Sequence, residues 1–421
     1  MRKAAIILAA GKGTRLKSSL PKALHPVCGK PMLGYLVDRA RAAGCEKIVV
    51  IAGFGIERVR EYLKSLNLGA SLVCVEQKEQ LGSGHAVLQA SRALAGFEGA
   101  AFVFYCDTPL IKNETVREIW KNFTSEKNDC TMLTVELEDP AGYGRICRGA
   151  SAEVTGIVEH NDATEEEKKI REINVGCYVF GAGRLFQALK QVKALPKKKE
   201  YYLTDVIGLL AADGRVGAVI TGDTGEAMGV NTQKDLAAIE EIAQKRILER
   251  LMGEGVRIRQ PQTVTIDADV TIGQDTTVMP HTVLEQGTVI GRGCTIGPFA
   301  RIRGASRIGH QVTVGNFVEI VRSELGNETQ VKHLSYLGDA VVGARVNIGA
   351  GTITANYDGK HKHRTVIKDQ ASIGSGTVLV APVTVGRGAV TGAGAVVTKN
   401  NDVPDRGTAV GVPARLLKKA K

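Results

Sequence analysis

The stretch VTIDADVTIGQDTTVMPHTVLEQGTVIGRGCTIGPFARIRGASRIGHQVTVGNFVEI (264–320) carries an aliphatic residue at every sixth position. These residues are Ile266, Ile272, Val278, Leu284, Ile290, Ile296, Ile302, Ile308, Val314 and Ile320. Two positions before each of them stands a small or β-branched residue. Such a period fits neither an α-helix nor an ordinary strand, and it is typical of a β-solenoid with three short, flat faces. We expect the aliphatic residues to point inward and the smaller ones to fill crowded corners.

This repeat resembles the left-handed hexapeptide β-helix of acyltransferases. A second run continues it through Val342 and Ile348, and then from Ile367 to Val397. The period breaks at 321–341 and 354–366, where polar, aromatic and histidine residues collect. Insertions that leave the coil of a repeat protein commonly carry its function. The sequence therefore predicts that both interruptions leave the coil and contribute to a site.

The first 230 residues alternate apolar, strand-like runs with helical stretches, such as AAIILAA (4–10), PMLGYLVDRARAAG (31–44) and KIVVIAG (47–53). This alternation predicts an α/β, Rossmann-like domain with a largely parallel sheet. Aliphatic residues at helical spacing then predict an amphipathic linker helix. The predicted organisation is an α/β domain over 1–232, the linker helix over 233–253 and the β-helix over 254–421.

Charge and cysteine content narrow the classes of function. The net charge is +11, but the basic residues are dispersed, aromatic residues make up 5% and no nucleic-acid motif occurs, so nucleic-acid binding is not expected. The charge suits phosphorylated small substrates, with solvated lysines at 197–199 and 418–419.

Eight cysteines without a CxxC pair indicate reduced thiols. Because the first apolar run is too short for a signal peptide or a membrane span, we expect a cytoplasmic protein.

A glycine-rich loop, GKGTR (11–15), follows the first predicted strand. Its backbone N–H groups can approach a phosphate closely, while Arg15 and the nearby Lys22 can neutralise a triphosphate and the departing pyrophosphate. The loop matches neither GxxxxGK[ST] nor GxGxxG. The longer stretch LAAGKGTRLKSSLPKALHPVCGKPML (8–33) resembles the sugar-1-phosphate nucleotidyltransferases, and it does so in the predicted strand–loop–helix context.

Further segments resemble, in order, the family of bifunctional bacterial enzymes that make UDP-N-acetylglucosamine. They are QKEQLGSGHAV (77–87), YCDTPL (105–110), GYGRI (142–146), GIVEHNDAT (156–164), EINVG (172–176), YYLTDVI (201–207), GVN (229–231), IGPFARIR (296–303), VGNFVEI (314–320), HLSYLGDA (333–340) and NIGAGTITANYDG (347–359). The resemblance covers nearly the whole chain. It implies acetyl transfer from acetyl-CoA to glucosamine-1-phosphate, and then uridylyl transfer from UTP to N-acetylglucosamine-1-phosphate with release of pyrophosphate.

For uridylyl transfer the resemblance implies catalysis by positioning and charge neutralisation, because the sugar phosphate is itself the nucleophile. Arg15 and Lys22 would be the catalytic cations, and Asp107 and Asn231 would hold Mg²⁺ through oxygen ligands. The implied nucleotide- and sugar-binding residues are Leu8, Ala9, Ala10, Gly11, Lys22, Gln77, Gly82, Ser83, Tyr105, Asp107, Gly144, Glu159, Asn174 and Asn231. Cys106 departs from the family, which usually has glycine at this position.

For acetyl transfer the resemblance implies that His333 is the base that deprotonates the substrate amine. The implied acceptor-binding residues are Arg303, Arg322, Tyr336, Asn347 and Lys362. The implied acetyl-CoA-binding residues are Ala350, Asn356, Tyr357, Ser375 and Ala393. Because the faces of the solenoid are flat, such a site is expected between neighbouring subunits, and the resemblance implies a homotrimer.

The β-helix half departs from the family at several positions. Val321 stands where the family commonly carries a phosphate-binding lysine. The adjacent Arg322 can replace that lysine only if the backbone is irregular, because neighbouring side chains on an extended chain point to opposite faces. Gly304 and Ala305 replace the family's Pro-Gly pair, and the solenoid is shorter at its start. The C-terminal sequence GVPARLLKKAK (411–421) lacks the arginine-bearing tail that in the family reaches CoA, and it resembles instead the closing turn of general hexapeptide acyltransferases.

These departures leave alternatives open. One is a uridylyltransferase with weak, altered or absent acetyl transfer. Another is a non-catalytic scaffold, although the charged residues that such a paralogue would be expected to lose are present. A third is a GDP-mannose or ADP-glucose type pyrophosphorylase, which would not explain HLSYLGDA (333–340) or NYDGKHK (356–362).

Overall fold

The computed structural model describes residues 1–193 and 200–417, and the chain divides into two compact units between Ile242 and Ala243. The helix Gln233–Gly253 spans this division. The domain limits at 232 and 254 stay a prediction. The lysines at 197–199 and 418–419, which were expected to be solvated, lie outside the described residues.

The first unit is built on one mixed sheet. Its strands are β1 (Lys3–Ala9), β2 (Lys47–Ala52), β3 (Leu72–Glu76), β4 (Ala100–Tyr105), β5 (Cys130–Glu136), β6 (Arg145–Arg148), β7 (Val154–Val158), β8 (Glu172–Gly181) and β9 (Val216–Thr221). The spatial order is β9-β5-β8-β4-β1-β2-β3, with β6 paired to β8 and β7 paired to β6. Strands β4, β1, β2 and β3 pair in parallel, whereas β8 runs antiparallel to β4 and β5. The α/β domain predicted from the sequence is confirmed, but the sheet is less parallel than expected, because β8 pairs antiparallel with β4, β5 and β6, and β6 pairs antiparallel with β7.

Helices accompany the sheet. They are α1 (Met32–Ala42), α2 (Ile56–Ser65), α3 (Ser83–Gln89), α4 (Asn113–Ser125), α5 (Ala182–Leu189), α6 (Asp205–Asp213) and α7 (Gln233–Gly253). Short 3₁₀ turns occur at Thr14–Leu16, Lys22–Leu24, Gly69–Ser71, Glu167–Lys169, Thr224–Glu226 and Pro261–Thr263, and Pro26–Val27 pairs with Lys30–Pro31. Helices α1 and α3 pack against β1, whose residues from Ala4 to Ile7 are fully buried. Burial on both faces is typical of a central parallel strand, and it fixes the end of β1 where the glycine-rich loop begins.

The second unit is a three-sided parallel β-helix. In the described residues, one sheet contains Arg257–Ile258, Thr277–Val278, Thr295–Ile296, Thr313–Asn316, Gln330–His333, Asn347–Ile348, Ser372–Ile373, Val390–Thr391, Thr408–Val410 and Arg415–Leu416. A second sheet contains Thr265–Ile266, Val283–Leu284, Arg301–Arg303, Glu319–Val321, Tyr336–Gly338, Ile353–Ala355, Val378–Val380 and Val396–Val397. The third contains Thr271–Ile272, Val289–Ile290, Arg307–Ile308, Glu324–Leu325, Ala340–Val342, Thr365–Ile367 and Val383–Val385. The final strand, Arg415–Leu416, pairs antiparallel.

The six-residue period places its side chains as predicted. Each of the ten aliphatic residues from Ile266 to Ile320 is at most 7% exposed, and the residues two positions before them, such as Thr276 and Ser306, are buried as well. Successive coils pair residues eighteen positions apart, as Thr265 pairs with Val283. The aliphatic residues therefore form a continuous core along the axis of the coil.

The corners of the coil require a left-handed backbone conformation. Side-chain-bearing residues occupy many of these positions, including His281, Phe299 and Phe317, with φ values of 59°, 54° and 55°. Because these three residues lie on successive coils, their rings stack along one edge, with centroids 4.8 and 5.2 Å apart. Phe299 and Phe317 are 47% and 57% exposed, so the edge of this unit presents an apolar column.

The prediction that residues 321–341 leave the coil is wrong. Leu325, Val331 and Leu337 are buried aliphatic residues that continue the core, and Thr313 pairs with Gln330 only seventeen positions on. Glu324 likewise pairs with Val341, seventeen positions on, so one turn residue is missing between Ile320 and Leu325 and another between Leu337 and Val342. These two deletions shift the phase of the repeat without interrupting the coil.

The second interruption does contain a loop outside the coil, but the loop is shorter than the predicted 354–366. Asn347 pairs with Ser372, twenty-five positions on, so extra chain is accommodated between neighbouring coils. Thr354 is still fully buried in the core, and regular pairing resumes at the strand Thr365–Ile367. The excursion therefore comprises residues 356–364.

Candidate functional site

A cavity of about 310 Å³ opens at the carboxyl ends of β1 and β4 in the first unit. Its lining consists of Leu8, Ala9, Ala10, Gly11, Lys22, Ala23, Gln77, Gln80, Gly82, Ser83, Ala86, Tyr105, Cys106, Asp107 and Glu200. This is the edge of an open α/β sheet at which ligands are expected to bind. The predicted residues Leu8, Ala9, Ala10, Gly11, Lys22, Gln77, Gly82, Ser83, Tyr105 and Asp107 are all brought together here.

A cluster of charged and amide groups adjoins the cavity. Lys22 Nζ lies 2.7 Å from Asp107 Oδ2 and 3.0 Å from Asn231 Oδ1. Arg15 Nη2 also donates to Asn231 Oδ1, at 2.9 Å. The oxygens of Asp107 and Asn231 therefore converge on one cationic nitrogen. Two hard oxygen atoms arranged in this way fit Mg²⁺, which usually takes one or two protein oxygens and completes its shell with water and phosphate.

Gly144, Glu159 and Asn174, the residues that the resemblance assigns to the sugar, form a neighbouring group. The backbone N–H of Asn174 donates to the carbonyl oxygen of Gly144 at 2.9 Å, and a side chain at Gly144 would contact the Glu159 carboxylate. Asn174 Nδ2 donates to the Tyr178 hydroxyl at 2.6 Å, and the ring of Tyr178 lies 6.3 Å from that of Tyr105. Tyr105 thus joins this group to the cavity.

Cys106 lines the cavity beside Asp107 and is 5% exposed. Its backbone N–H donates to the carbonyl oxygen of Leu8 at 3.1 Å, which continues the pairing of β1 and β4 beyond the end of the strand. Burial raises the pKa of the Cys106 thiol, so the side chain is a neutral thiol near pH 7.

The sequence analysis missed several residues of this site. Gln80 Nε2 donates to the carbonyl oxygen of Ala10 at 2.9 Å, and it pins the strand end that begins the glycine-rich loop. Thr204 Oγ1 donates to Glu159 Oε1 at 2.9 Å. Both residues lie inside segments that carried the resemblance, QKEQLGSGHAV and YYLTDVI. The signal was therefore present, but nothing in the sequence distinguished these two side chains from their neighbours.

Five residues stand one above another along one edge of the β-helix. Backbone hydrogen bonds join each coil to the one before it. The N–H of Leu334 donates to the carbonyl oxygen of Asn316, that of Gly351 to the carbonyl oxygen of His333, that of Gly376 to the carbonyl oxygen of Ala350, and that of Gly394 to the carbonyl oxygen of Ser375. The column reads Asn316, His333, Ala350, Ser375 and Ala393 from coil to coil. His333 Nδ1 lies 3.1 Å from Asn316 Oδ1. The predicted base and three of the predicted acetyl-CoA residues therefore share one edge.

The predicted acceptor residues Arg303 and Tyr336 lie on the adjoining sheet. Asn347 begins the short strand Asn347–Ile348, which leads to Ala350 of the column. Arg303 Nε donates to Glu319 Oε1 at 2.8 Å. Tyr336 pairs in register with Glu319. The Asn347 side chain is exposed to solvent. In this unit the Arg303 guanidinium therefore has a carboxylate partner.

Arg322 has the irregular backbone that its predicted role requires, with φ of 48°, whereas Val321 is fully buried. Its guanidinium forms a two-point pair with Asp339, with distances of 2.7 and 2.8 Å. The hydrogen bonds from Arg322 hold the pKa of the Asp339 carboxyl below its usual value. Asn356 Nδ2 donates to Asp339 Oδ2, the same oxygen that accepts from Arg322 Nη2. Arg322 therefore fixes the position of Asn356, a predicted acetyl-CoA residue.

The excursion 356–364 presents the remaining predicted residues. Tyr357 bridges to Lys362 in antiparallel fashion, and its hydroxyl donates to the carbonyl oxygen of Gly359 at 2.7 Å. Asp358 binds His363 Nε2 at 2.6 Å and accepts two backbone N–H bonds. These bonds close the loop on itself, so Tyr357 and Lys362 stand out from the coil on an ordered turn.

Comparison with known proteins covers both halves. The model of the MobA-like NTP transferase domain matches residues 5–175, and that of the bacterial transferase hexapeptide, six repeats long, matches 269–304, 287–322 and 364–399. The "Bifunctional protein GlmU" of Geobacillus thermodenitrificans is 44% identical, over 98% of this chain and 95% of its own. The chain belongs to the GlmU family. The proteins of the same name from Halalkalibacterium halodurans and Clostridium perfringens (strain SM101 / Type A) are each 44% identical, over 95% and 97% of this chain and 94% and 96% of their own.

The hexapeptide match, together with the three-sided coil, confirms the predicted left-handed β-helix. Among solved structures, a UDP-glucose pyrophosphorylase complexed with UDP-glucose aligns with 58% of this chain and 100% of its own, at 22% identity and a TM-score of 0.48. Among the helices in the described ranges, none combines the length and the apolar character needed to cross a membrane.

Proposed function

We propose that this member of the GlmU family catalyses both acetyl transfer to glucosamine-1-phosphate and uridylyl transfer to N-acetylglucosamine-1-phosphate. The chain is a nucleotidyltransferase and an N-acetyltransferase, with UTP and acetyl-CoA as co-substrates. The observation that carries this proposal is the coexistence, in one chain, of the cavity at the end of β1, which contains Lys22 and Asp107, and the edge column that contains His333.

In the uridylyl transfer, the phosphate of N-acetylglucosamine-1-phosphate attacks the α-phosphorus of UTP, and the bond to the departing pyrophosphate breaks. No covalent enzyme intermediate is required. The backbone at Gly11 lies where it can approach phosphate, and Arg15 and Lys22 neutralise negative charge on the triphosphate. Glu159 and Asn174 orient the sugar through its hydroxyl and acetamido groups. Catalysis rests on this positioning and neutralisation.

Asp107 and Asn231 would hold Mg²⁺, which would supply further neutralisation of phosphate charge. Lys22 bridges their oxygens in this structure. On our proposal Lys22 leaves that position and turns to the triphosphate. A single lysine can serve both arrangements because its ammonium group ends a flexible four-carbon stem.

In the acetyl transfer, His333 Nε2 takes a proton from the substrate ammonium group, and the resulting amine attacks the thioester carbonyl. The carbon–sulfur bond then breaks, and CoA leaves as a thiol after protonation. Tyr336, Asn347, Arg303 and Lys362 would bind the amino-sugar phosphate, and the column above His333 would accept acetyl-CoA.

A homotrimer would complete this second site. Phe299, Phe317 and Leu334 form an exposed apolar stripe on the same edge, with exposures of 47%, 57% and 62%, and Leu334 directly follows His333 in the sequence. Such a stripe favours burial against another protein surface. We place the enzyme in the cytoplasm, where UTP and acetyl-CoA are available and cysteine thiols such as that of Cys130 stay reduced.

The decisive experiment supplies the purified chain with glucosamine-1-phosphate, acetyl-CoA, UTP and Mg²⁺, and follows CoA and pyrophosphate separately. We expect CoA to be released first and pyrophosphate to follow. Release of pyrophosphate only when the sugar is supplied already acetylated would refute the acetyltransferase half and leave the uridylyltransferase half standing.

A further inference from the structure

His85 lies on helix α3 behind the nucleotide cavity and contacts two glutamine side chains. Its Nδ1 is 3.1 Å from Gln77 Nε2, and its Nε2 is 3.0 Å from Gln89 Nε2. Gln77 is 4% exposed and lines the cavity, whereas Gln89 is only half-buried. Gln77 Nε2 also lies 3.2 Å from the carbonyl oxygen of Gly82.

The carbonyl oxygen of Gly82 fixes the orientation of the Gln77 carboxamide. A carbonyl oxygen only accepts hydrogen bonds, so the amide group that faces it must be NH₂. The two N–H bonds of Nε2 then point to Gly82 and to His85. Within the described residues, no group donates to Gln77 Oε1. This oxygen therefore remains as the acceptor of a buried side chain in the wall of the cavity.

The same logic fixes the tautomer of His85. Gln77 donates to Nδ1, so Nδ1 carries a lone pair and the ring proton of the neutral imidazole sits on Nε2. The Nε2 proton then requires an acceptor from Gln89. Gln89 Nε2 also lies 3.2 Å from the backbone carbonyl oxygen of His85. Because Gln89 is only half-buried, its carboxamide can turn its oxygen to the ring and leave that carbonyl to water. The buried Gln77 has no such freedom.

We propose that His85 is a positioning residue that sets the base specificity of uridylyl transfer by holding Gln77 Oε1 toward the base. An acceptor in the wall complements the N3–H of uracil, which donates. It opposes the N3 of cytosine, which carries a lone pair. Without the His85 acceptor, Gly82 alone opposes rotation of the Gln77 carboxamide, so the orientation that presents NH₂ to the base, which suits cytosine better, becomes more accessible. This inference rests on the proposed use of the cavity for UTP.

The test compares His85→Asn with His85→Leu, which are nearly equal in size. The oxygen of Asn can stand in for Nδ1 as an acceptor, whereas Leu has none. Pyrophosphate release is measured with UTP, CTP and dTTP at a fixed concentration of N-acetylglucosamine-1-phosphate. We expect the ratio of kcat/KM for UTP over CTP to fall about tenfold in His85→Leu and to stay near the wild-type ratio in His85→Asn. The ratio for UTP over dTTP should change in neither, because thymine offers the same N3–H.

Gln89→Ala is the matched control, and we expect it to keep the UTP-over-CTP ratio. Equal ratios in the Asn and Leu variants, or an equal loss of activity with all three nucleotides, would overturn the inference and leave a packing role for His85. If His85→Leu does not fold, His85→Ala takes its place, and an unchanged ratio overturns the inference in the same way. A wild-type enzyme that releases no pyrophosphate from UTP would instead refute the proposed function.

Discussion

His333 Nδ1 lies 3.1 Å from Asn316 Oδ1, one coil below it on the same edge of the β-helix. An amide oxygen only accepts hydrogen bonds, so the ring proton of the neutral histidine sits on Nδ1. Nε2 is therefore left with its lone pair, which a general base needs. Asn316 thus selects the tautomer of His333 before any substrate arrives.

Replacing Asn316 by Leu should slow acetyl transfer. The substitution removes the acceptor that holds the ring proton on Nδ1, and we expect the kcat for CoA release to fall about tenfold or more. Asn316→Asp keeps an acceptor at this position and should retain most of the activity. Pyrophosphate release from UTP and N-acetylglucosamine-1-phosphate serves as the internal control and should not change. Equal CoA release by the wild-type, Leu and Asp proteins would show that Asn316 does not orient the base.

Replacing Asp107 by Ala should separate the two activities. This substitution removes the only carboxylate that contacts Lys22 within the described residues, and with it a proposed Mg²⁺ ligand. We expect pyrophosphate release to fall about a hundredfold or more, while CoA release stays at the wild-type rate. The two products are measured on the same preparation, so loss of both would indicate misfolding. Retained pyrophosphate release would contradict the assignment of Asp107 as a metal ligand.

Replacing Arg322 by Ala tests which substrate this arginine serves. Its two-point pair with Asp339 positions Asn356, so we expect the KM for acetyl-CoA to rise about threefold to tenfold. Arg345→Ala, which removes a more exposed pair with Glu328, is the control and should leave both KM values unchanged. A rise confined to the KM for glucosamine-1-phosphate would instead assign Arg322 to the acceptor phosphate, as the sequence predicts.

The α/β sheet and the coil could be predicted because their signals are periodic and local. The residues from Ile266 to Ile320 keep a strict spacing, and each is buried as that spacing requires. The phase shift after Ile320 could not be predicted in this way, because a search for every sixth residue loses Leu325 when one turn residue is missing. Its burial depends on pairing with the coils above and below, which the local sequence does not report.

The site was predicted residue by residue through resemblance, but its internal bonds were not. Lys22 was expected to bind phosphate, and nothing in the sequence showed that it bridges Asp107 and Asn231, which are 85 and 209 positions away. The pairing of Arg322 with Asp339 is of the same kind. Such contacts arise when distant strands end at one edge, so they follow from the three-dimensional arrangement and not from local spacing.

Burial of His25 should make the stability of the first unit depend on pH. The side chain is 6% exposed, and no described group bonds to its Nε2. Burial lowers the pKa of His25, although a hydrogen bond with the Leu20 backbone opposes part of this effect. The unfolded chain then binds a proton at higher pH than the folded chain. Stability should therefore fall as the pH drops below about 6.5, by at most about 1.4 kcal/mol per pH unit from this residue.

The fluorescence of Trp120, the only tryptophan of the chain, reports urea unfolding of this first unit. The free energy of unfolding of wild type and of His25→Asn, which does not titrate in this range, is compared at pH 7.5 and at pH 5.5. We expect the free energy of unfolding to fall more for the wild type than for the variant between pH 7.5 and pH 5.5. The other groups that titrate in this range are the same in both proteins, so their effects cancel when the two losses are compared. An equal loss in both proteins would mean that protonation of His25 is not linked to folding.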